Sequence, residues 1–212
     1  MVQGLTVRAL AVVAALAVAA LIALSAGEGG KSAGLLAEIG VSSTRQSLVQ
    51  STVADLPDVA IETADGGHTS FAATGGHVRI VTMVYAHCPG VCPLTIESLR
   101  GIDRQLSARQ QARLGFVLVS LDPSRDSPEA LRALARQHGL SSPRWVVGRT
   151  SEPDAHAFAA AVQVRYRGLS DGSIDHSSAL VLVDGRGRVL ARSRDADAEE
   201  FVAAVGQALD RE

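Results

Sequence analysis

The chain opens on an apolar run. Every residue from Ala9 to Leu24 is apolar, and Arg8 is the only charge between Leu5 and Ala26. That length falls between the hydrophobic stretch of an export signal and the roughly 20 residues that span a bilayer. It predicts an N-terminal transmembrane or signal helix over residues 1–27. Ala23-Leu24-Ser25 offers small residues for cleavage, and no cysteine follows directly to carry a lipid anchor. Arg8 places the short N-terminus on the cytoplasmic side and sends the remainder across the membrane. Residues 28–52, rich in Gly, Ser and Thr, read as a flexible linker that lifts a folded domain, 53–212, off the membrane.

Within that domain the hydrophobic period alternates between strand and helix. Val59–Thr63 and His77–Tyr85 read as strands, the second nearly continuous in apolar and β-branched residues. Leu94–Gln111 reads as a helix with Leu99, Ile102 and Leu106 on one face, and Leu114–Leu121 as a second buried strand. Ser127-Pro128-Glu129 opens the next helix with an N-cap hydroxyl, a proline at the first helical position and an acid at the positive end of the dipole. Gly139 ends it. A strand at Trp145–Val147 precedes a helix capped by Ser151. Ser178–Val183 and Val189–Ser193 then flank the turn signal Asp184-Gly185-Arg186-Gly187, and Asp197 with Glu200 caps a last helix. The order βαβαβαββα implies an α/β fold, a mixed sheet flanked by helices.

Composition narrows the function classes. The formal charge is −2 and no basic stripe interrupts the pattern, which leaves no electrostatic case for nucleic acid. Nineteen of the 20 basic residues are Arg, and Ala is abundant, as in a GC-rich bacterial genome. The exported domain faces an oxidising compartment, where two cysteines form a disulfide unless something keeps them reduced.

Both cysteines lie in Tyr85-Ala86-His87-Cys88-Pro89-Gly90-Val91-Cys92-Pro93, where the apolar strand gives way to the helical pattern. A strand end feeding a helix start favours thiolate, through backbone N–H groups and the helix dipole. A structural disulfide in so short a loop would remove little entropy from the unfolded chain. A structural zinc site wants four ligands, and there is no second cysteine pair. Redox chemistry and soft-metal binding both remain open.

Three separated motifs then carry a family resemblance: YAHCPGVCPL; the run Leu121-Asp122-Pro123-Ser124-Arg125-Asp126-Ser127-Pro128-Glu129; and Asp175-His176-Ser177. In this order and spacing they resemble the SCO/SenC family of copper-binding thioredoxin-fold proteins, over about residues 53–209 and the N-terminal anchor. The resemblance implies a thioredoxin-like domain that helps to assemble the dinuclear copper centre of cytochrome c oxidase. It also implies copper ligation by Cys88, Cys92 and His176, a soft set suited to Cu(I) and tolerant of Cu(II). Ordinary thioredoxins hold a cis-proline where His176 falls, and none stands here, which favours a metal site over a plain dithiol. Asp122 and Asp175 are candidates for supporting the ligands, although turn geometry and loop solvation explain them equally well. His87 should point away from its neighbour Cys88; His68, His77 and His156 read as surface, and His138 as a helix-end residue.

The chain departs from the family pattern at Gly90, where Asp is commonest, and at Ala86, where Thr is usual. The stretch from Val162 to His176 is short, which suggests a truncated hairpin beside the histidine. Two functions follow from the resemblance. One is a membrane-tethered metallochaperone on the periplasmic side of the bacterial cytoplasmic membrane, serving the copper-receiving oxidase subunit alongside other periplasmic copper chaperones or thiol reductases. The other is a thiol–disulfide reductase for that subunit, with Cys88 attacking and Cys92 resolving. A peroxidase would need a differently built nucleophile loop.

Overall fold

A strongly apolar stretch of the domain forms an interior strand of the sheet. In the computed structural model, which describes residues 55–75, 77–195 and 198–211, all seven residues of β3 (Val78–Val84) are buried. A strand covered on both faces needs no alternation of polar positions, and this one has none. Its parallel neighbour β4 (Leu114–Ser120) pairs with it from Val78↔Leu114 to Val84↔Ser120, and β5 (Trp145–Arg149) continues the parallel set. Phe116 and Trp145, register partners on β4 and β5, stack at 3.8 Å.

The seven-stranded sheet runs β2-β1-β5-β4-β3-β8-β9. Antiparallel β1 (Ala60–Thr63) and β2 (His68–Ser70) extend it at one edge, and β8 (Leu180–Val183) and β9 (Val189–Ser193) at the other. Helices α1 (Val91–Gln105) and α2 (Ala108–Gln111) link β3 to β4, and α3 (Pro128–Gln137) links β4 to β5. After α4 (Glu152–Val162) comes a separate two-stranded hairpin, β6 (Tyr166–Gly168) with β7 (Ile174–His176), and α5 (Glu199–Arg211) closes the domain. The expected mixed α/β sheet is therefore present.

Three local readings change. The helix expected over 94–111 starts earlier, at Val91, and breaks at Leu106, because Ser107 and Gln110 form a capping box that starts α2. β2 and the β6–β7 pair have three-residue strands, too short to show a period. The hairpin beside His176 is thus built, though small. The segments 1–27 and 28–52 and the Asp197 cap lie outside the described residues. Among the described residues no helix is long and apolar enough to cross a membrane.

Topology places the chemistry. β3 ends at Val84, and its parallel neighbour β4 delivers residues 121–126 to the same pole. Antiparallel β8 starts beside that end, with Val81 paired to Val181 and the Thr82 hydroxyl donating to the Ala179 carbonyl at 2.8 Å. The residues just before β8, His176 among them, must therefore lie against the loop that follows β3. At the sheet's other flank β1 passes so close to β5 that a Cβ on Gly148 would lie 2.6 Å from the Glu62 carbonyl oxygen. Gly148→Ala should push β1 away and cost about 1–3 kcal/mol. The check is a lower urea midpoint at unchanged slope.

Candidate metal centre

The two cysteines receive different environments from the same helix. Cys92 heads the buried stripe of α1, followed by Ile96, Leu99 and Ile102, and is 1% exposed. Cys88 stands before the helix and is half-buried. The N-cap position belongs to Gly90, which has no side chain to offer; the Cys88 sulfur substitutes, accepting the Cys92 N–H at 3.3 Å. A thiolate gains at that spot what a capping carboxylate gains, an N–H donor and the positive end of the dipole.

The thiols are accordingly split. Burial works against the Cys88 thiolate, but hydrogen bonds from Cys92, from His176 and from the Gly90 and Cys92 backbone overcome it and bring its pKa down to about 7. Burial, and then the hydrogen bond shared with Cys88, push the Cys92 thiol far up. Both cysteines are free thiols.

His176, last residue of β7, faces both sulfurs. Its Nε2 lies 3.9 Å from Cys88 Sγ and 3.7 Å from Cys92 Sγ, and the three donor atoms all fall within 4.8 Å of one another. Nδ1 lies 3.3 Å from the Ser177 carbonyl oxygen. With the proton on Nε2 the ring donates to Cys88; moved to Nδ1, the proton is donated to that carbonyl and the Nε2 lone pair points at the sulfurs, the tautomer a metal ligand needs. Metal–sulfur and metal–nitrogen bonds of about 2.3 and 2.0 Å around one three-coordinate ion put S and N about 3.8 Å apart. The donor set thus fits a single soft ion in size as well as in kind. Among the described residues no other group of three His, Cys, Asp or Glu side chains is placed to hold a metal.

Neither acid singled out from the sequence touches the donors. Asp122 is buried and ion-paired with Arg125, and it accepts from the Ser124 hydroxyl. Asp175 is exposed and paired with Arg167 at 3.1 Å. The carboxylate beneath the site is Asp126, fully buried. It accepts the Ala86 N–H at 3.1 and 3.2 Å and the Ser120 hydroxyl at 2.6 Å, tying the loop after β3 to the end of β4. Burial raises its pKa, against those same hydrogen bonds. The exposed His87 ring lies 3.8 Å from it and outside the donor cluster. In the sequence Asp126 reads only as support for the Ser127 cap; its signal was a second acid four residues after Asp122, at the same strand end. His138, read from the sequence as a helix-end residue, is buried at the α3 C-cap, and His156 accepts or donates at 2.8 Å with the Tyr166 hydroxyl.

The SCO1/SenC family model matches residues 60–209. The chain belongs to the SCO1/SenC family. A protein of Stutzerimonas stutzeri named as copper-binding is 28% identical over 124 residues, 56% of this chain and 59% of that one. The chain thus spans about three fifths of the length of that curated relative. Yeast Sco1, solved with copper bound, superposes with a TM-score of 0.62 at 19% identity, covering 75% of this chain and 90% of its own. BsSco, described as a cytochrome c oxidase assembly protein with a disulfide switch, superposes at 0.64 with 19% identity, covering 76% and 96%. At such identities these structures establish the thioredoxin-like Sco fold for this family member.

The split between the thiols has a direct readout. In the reduced, metal-free protein Cys88 should be alkylated first, its rate rising through pH about 7 and levelling above, where the thiolate is fully formed. Cys92 should lag at every pH, as followed by mass mapping of the alkylated peptides.

Proposed function

We propose that this SCO1/SenC protein is a membrane-tethered copper metallochaperone, holding copper as cargo between Cys88, Cys92 and His176 and delivering it to the dinuclear copper site of cytochrome c oxidase. The observation that carries this reading is the convergence of two sulfurs and an imidazole nitrogen within 4.8 Å. Two thiolates and one imidazole suit Cu(I), which accepts three-coordination; zinc would want a fourth donor. The half-exposed Cys88 and the exposed Pro89 and Gly90 beside it leave the ion open to an incoming thiolate, so transfer can proceed by ligand exchange. The copper named with yeast Sco1 and the oxidase assembly named with BsSco support the same assignment. The apolar N-terminal run supports a tether that holds the domain on the extracytoplasmic face.

A second reading rests on the thiol split. A half-exposed Cys88 with a lowered pKa, backed by a buried Cys92, is arranged as an attacking and a resolving thiol. The Cys88 thiolate would attack a partner disulfide, forming a mixed disulfide and releasing one partner thiolate. Cys92 would then attack Cys88 Sγ, releasing the second partner thiol and leaving a Cys88–Cys92 disulfide. Two electrons pass to the partner. His176 is required as a ligand for the first function, whereas in the second it only helps to lower the Cys88 pKa.

An anaerobic Cu(I) titration of the reduced full-length chain against a competing chelator separates them. One equivalent should bind tightly, and His176→Ala and Cys92→Ser should each weaken binding at least tenfold. Equal affinity in His176→Ala rules out the three-ligand site; the reductase reading requires that this variant still exchange disulfides, with its rate profile moved to higher pH as the Cys88 thiolate loses the imidazole hydrogen bond.

Gly90 offers a second test. A Cβ there would meet nothing within 4 Å. There is space for a side chain, so Gly90→Asp should fold while placing a carboxylate at the rim. Its effect should appear as tighter Cu(II) binding in the same competition format.

A further inference from the structure

Of the three donors, His176 alone is not carried by the continuous run from β3 into α1. It sits on a hairpin of two three-residue strands, and a lone two-stranded pair of that size is not stable in water. Something else must hold the imidazole over the sulfurs. Side chains from three other elements reach the hairpin: Arg125 donates to the Gly172 carbonyl, His156 shares a hydrogen with Tyr166, and Tyr85 binds Ile174. The first two grip the hairpin's tip and its outer strand. Only Tyr85 grips the strand that carries the ligand, two residues away from it.

Tyr85 also touches the rest of the site. Its backbone carbonyl accepts the Cys88 N–H at 3.2 Å. Its ring meets the His176 ring edge to face, at 5.7 Å and 77°. Its hydroxyl, on a side chain only 2% exposed, donates to the Ile174 carbonyl at 3.3 Å and accepts the Ile174 N–H at 3.4 Å. One buried residue at the end of β3 thus meets the loop of one ligand, the ring of another and the backbone of the strand bearing it.

We propose that Tyr85 is the positioning residue for the third ligand: its hydroxyl latches β7 to the end of β3 and so holds His176 Nε2 in the donor set. The inference rests on the Cys88–Cys92–His176 copper site proposed above. Phenylalanine at this position keeps the ring, the edge-to-face contact and the core volume; it removes the latch and the hydroxyl's hydrogen bond toward Cys88, which the His176→Ala background tells apart.

The test is a double-mutant cycle on the full-length chain, with Tyr85→Phe and His176→Ala singly and together, reading copper affinity by chelator competition. Loss of a hydrogen bond that orients a ligand lowers metal affinity about tenfold. Tyr85→Phe should show that loss alone and add nothing in the His176→Ala background, because its effect passes through the imidazole. In the copper-free protein the Ile174 amide should exchange faster in Tyr85→Phe. Unchanged affinity, an equal loss in both backgrounds, or unchanged Ile174 exchange overturns the latch. If His176→Ala binds copper as tightly as the unmodified chain, the three-ligand reading itself fails and the latch falls with it. If His176→Ala is weakened and Tyr85→Phe is not, only the latch is wrong.

Discussion

The arrangement of the whole site depends on β3 having a parallel neighbour on one side and an antiparallel one on the other. A parallel neighbour brings its exit loop to the same pole; an antiparallel neighbour brings its entry loop there. The cysteine loop leaves β3, Asp126 follows β4 and His176 precedes β8, so residues separated by up to 88 positions meet at one end of the sheet. Pairing fixes that meeting before any side chain takes part. A slip of one residue in β8 would turn its core face to the other side, and four fully buried residues resist it.

On that frame the cysteines are made unequal by helical geometry together with the hydrogen bonds that Cys88 receives from Cys92 and His176. Cys92 falls on the buried stripe of α1 and Cys88 one turn earlier, ahead of the first N–H groups. Burial disfavours the thiolate of one, while the helix start stabilises the thiolate of the other. A cation arriving at the pair would be met first by the sulfur already charged and accessible. Asp126 matters here without touching a donor: by holding the Ala86 N–H it fixes the path of the chain two residues before Cys88.

Much of this is legible in the residues. The strands at 77–85 and 114–121 and the capped helices at Ser127 and Ser151 follow from period and capping chemistry. The stripe of Leu99 and Ile102, extended two turns back through Ile96, already puts Cys92 on the buried face. The break at Leu106 is carried by Ser107 and Gln110, but the apolar spacing of Leu99, Ile102 and Leu106 runs across it and hides it. His176 lies 84 residues from Cys92, and no local pattern joins them; the resemblance to a family did. Asp126 escaped because a run of polar turn residues looks alike whether a carboxylate faces water or the sheet. Only the strand register decides that, and register is a property of pairs of strands.

The same contrast between local and long-range order governs the ligands themselves. Cys88 and Cys92 are held by continuous chain: β3, a short loop, and a helix packed on the core. His176 is held by a hairpin that shares no ladder with the main sheet and reaches it through side-chain hydrogen bonds and the partly buried Tyr166 and Ile174. Each such bond contributes on the order of 1 kcal/mol net, far less than the packing that fixes the cysteines. The imidazole is therefore the donor whose position costs least to change, and the two sulfurs are the ones the fold cannot easily give up. On the metallochaperone reading proposed above, that ordering supplies a fixed pair to keep the ion from escaping to solvent and one ligand cheap enough to be displaced by an incoming thiolate.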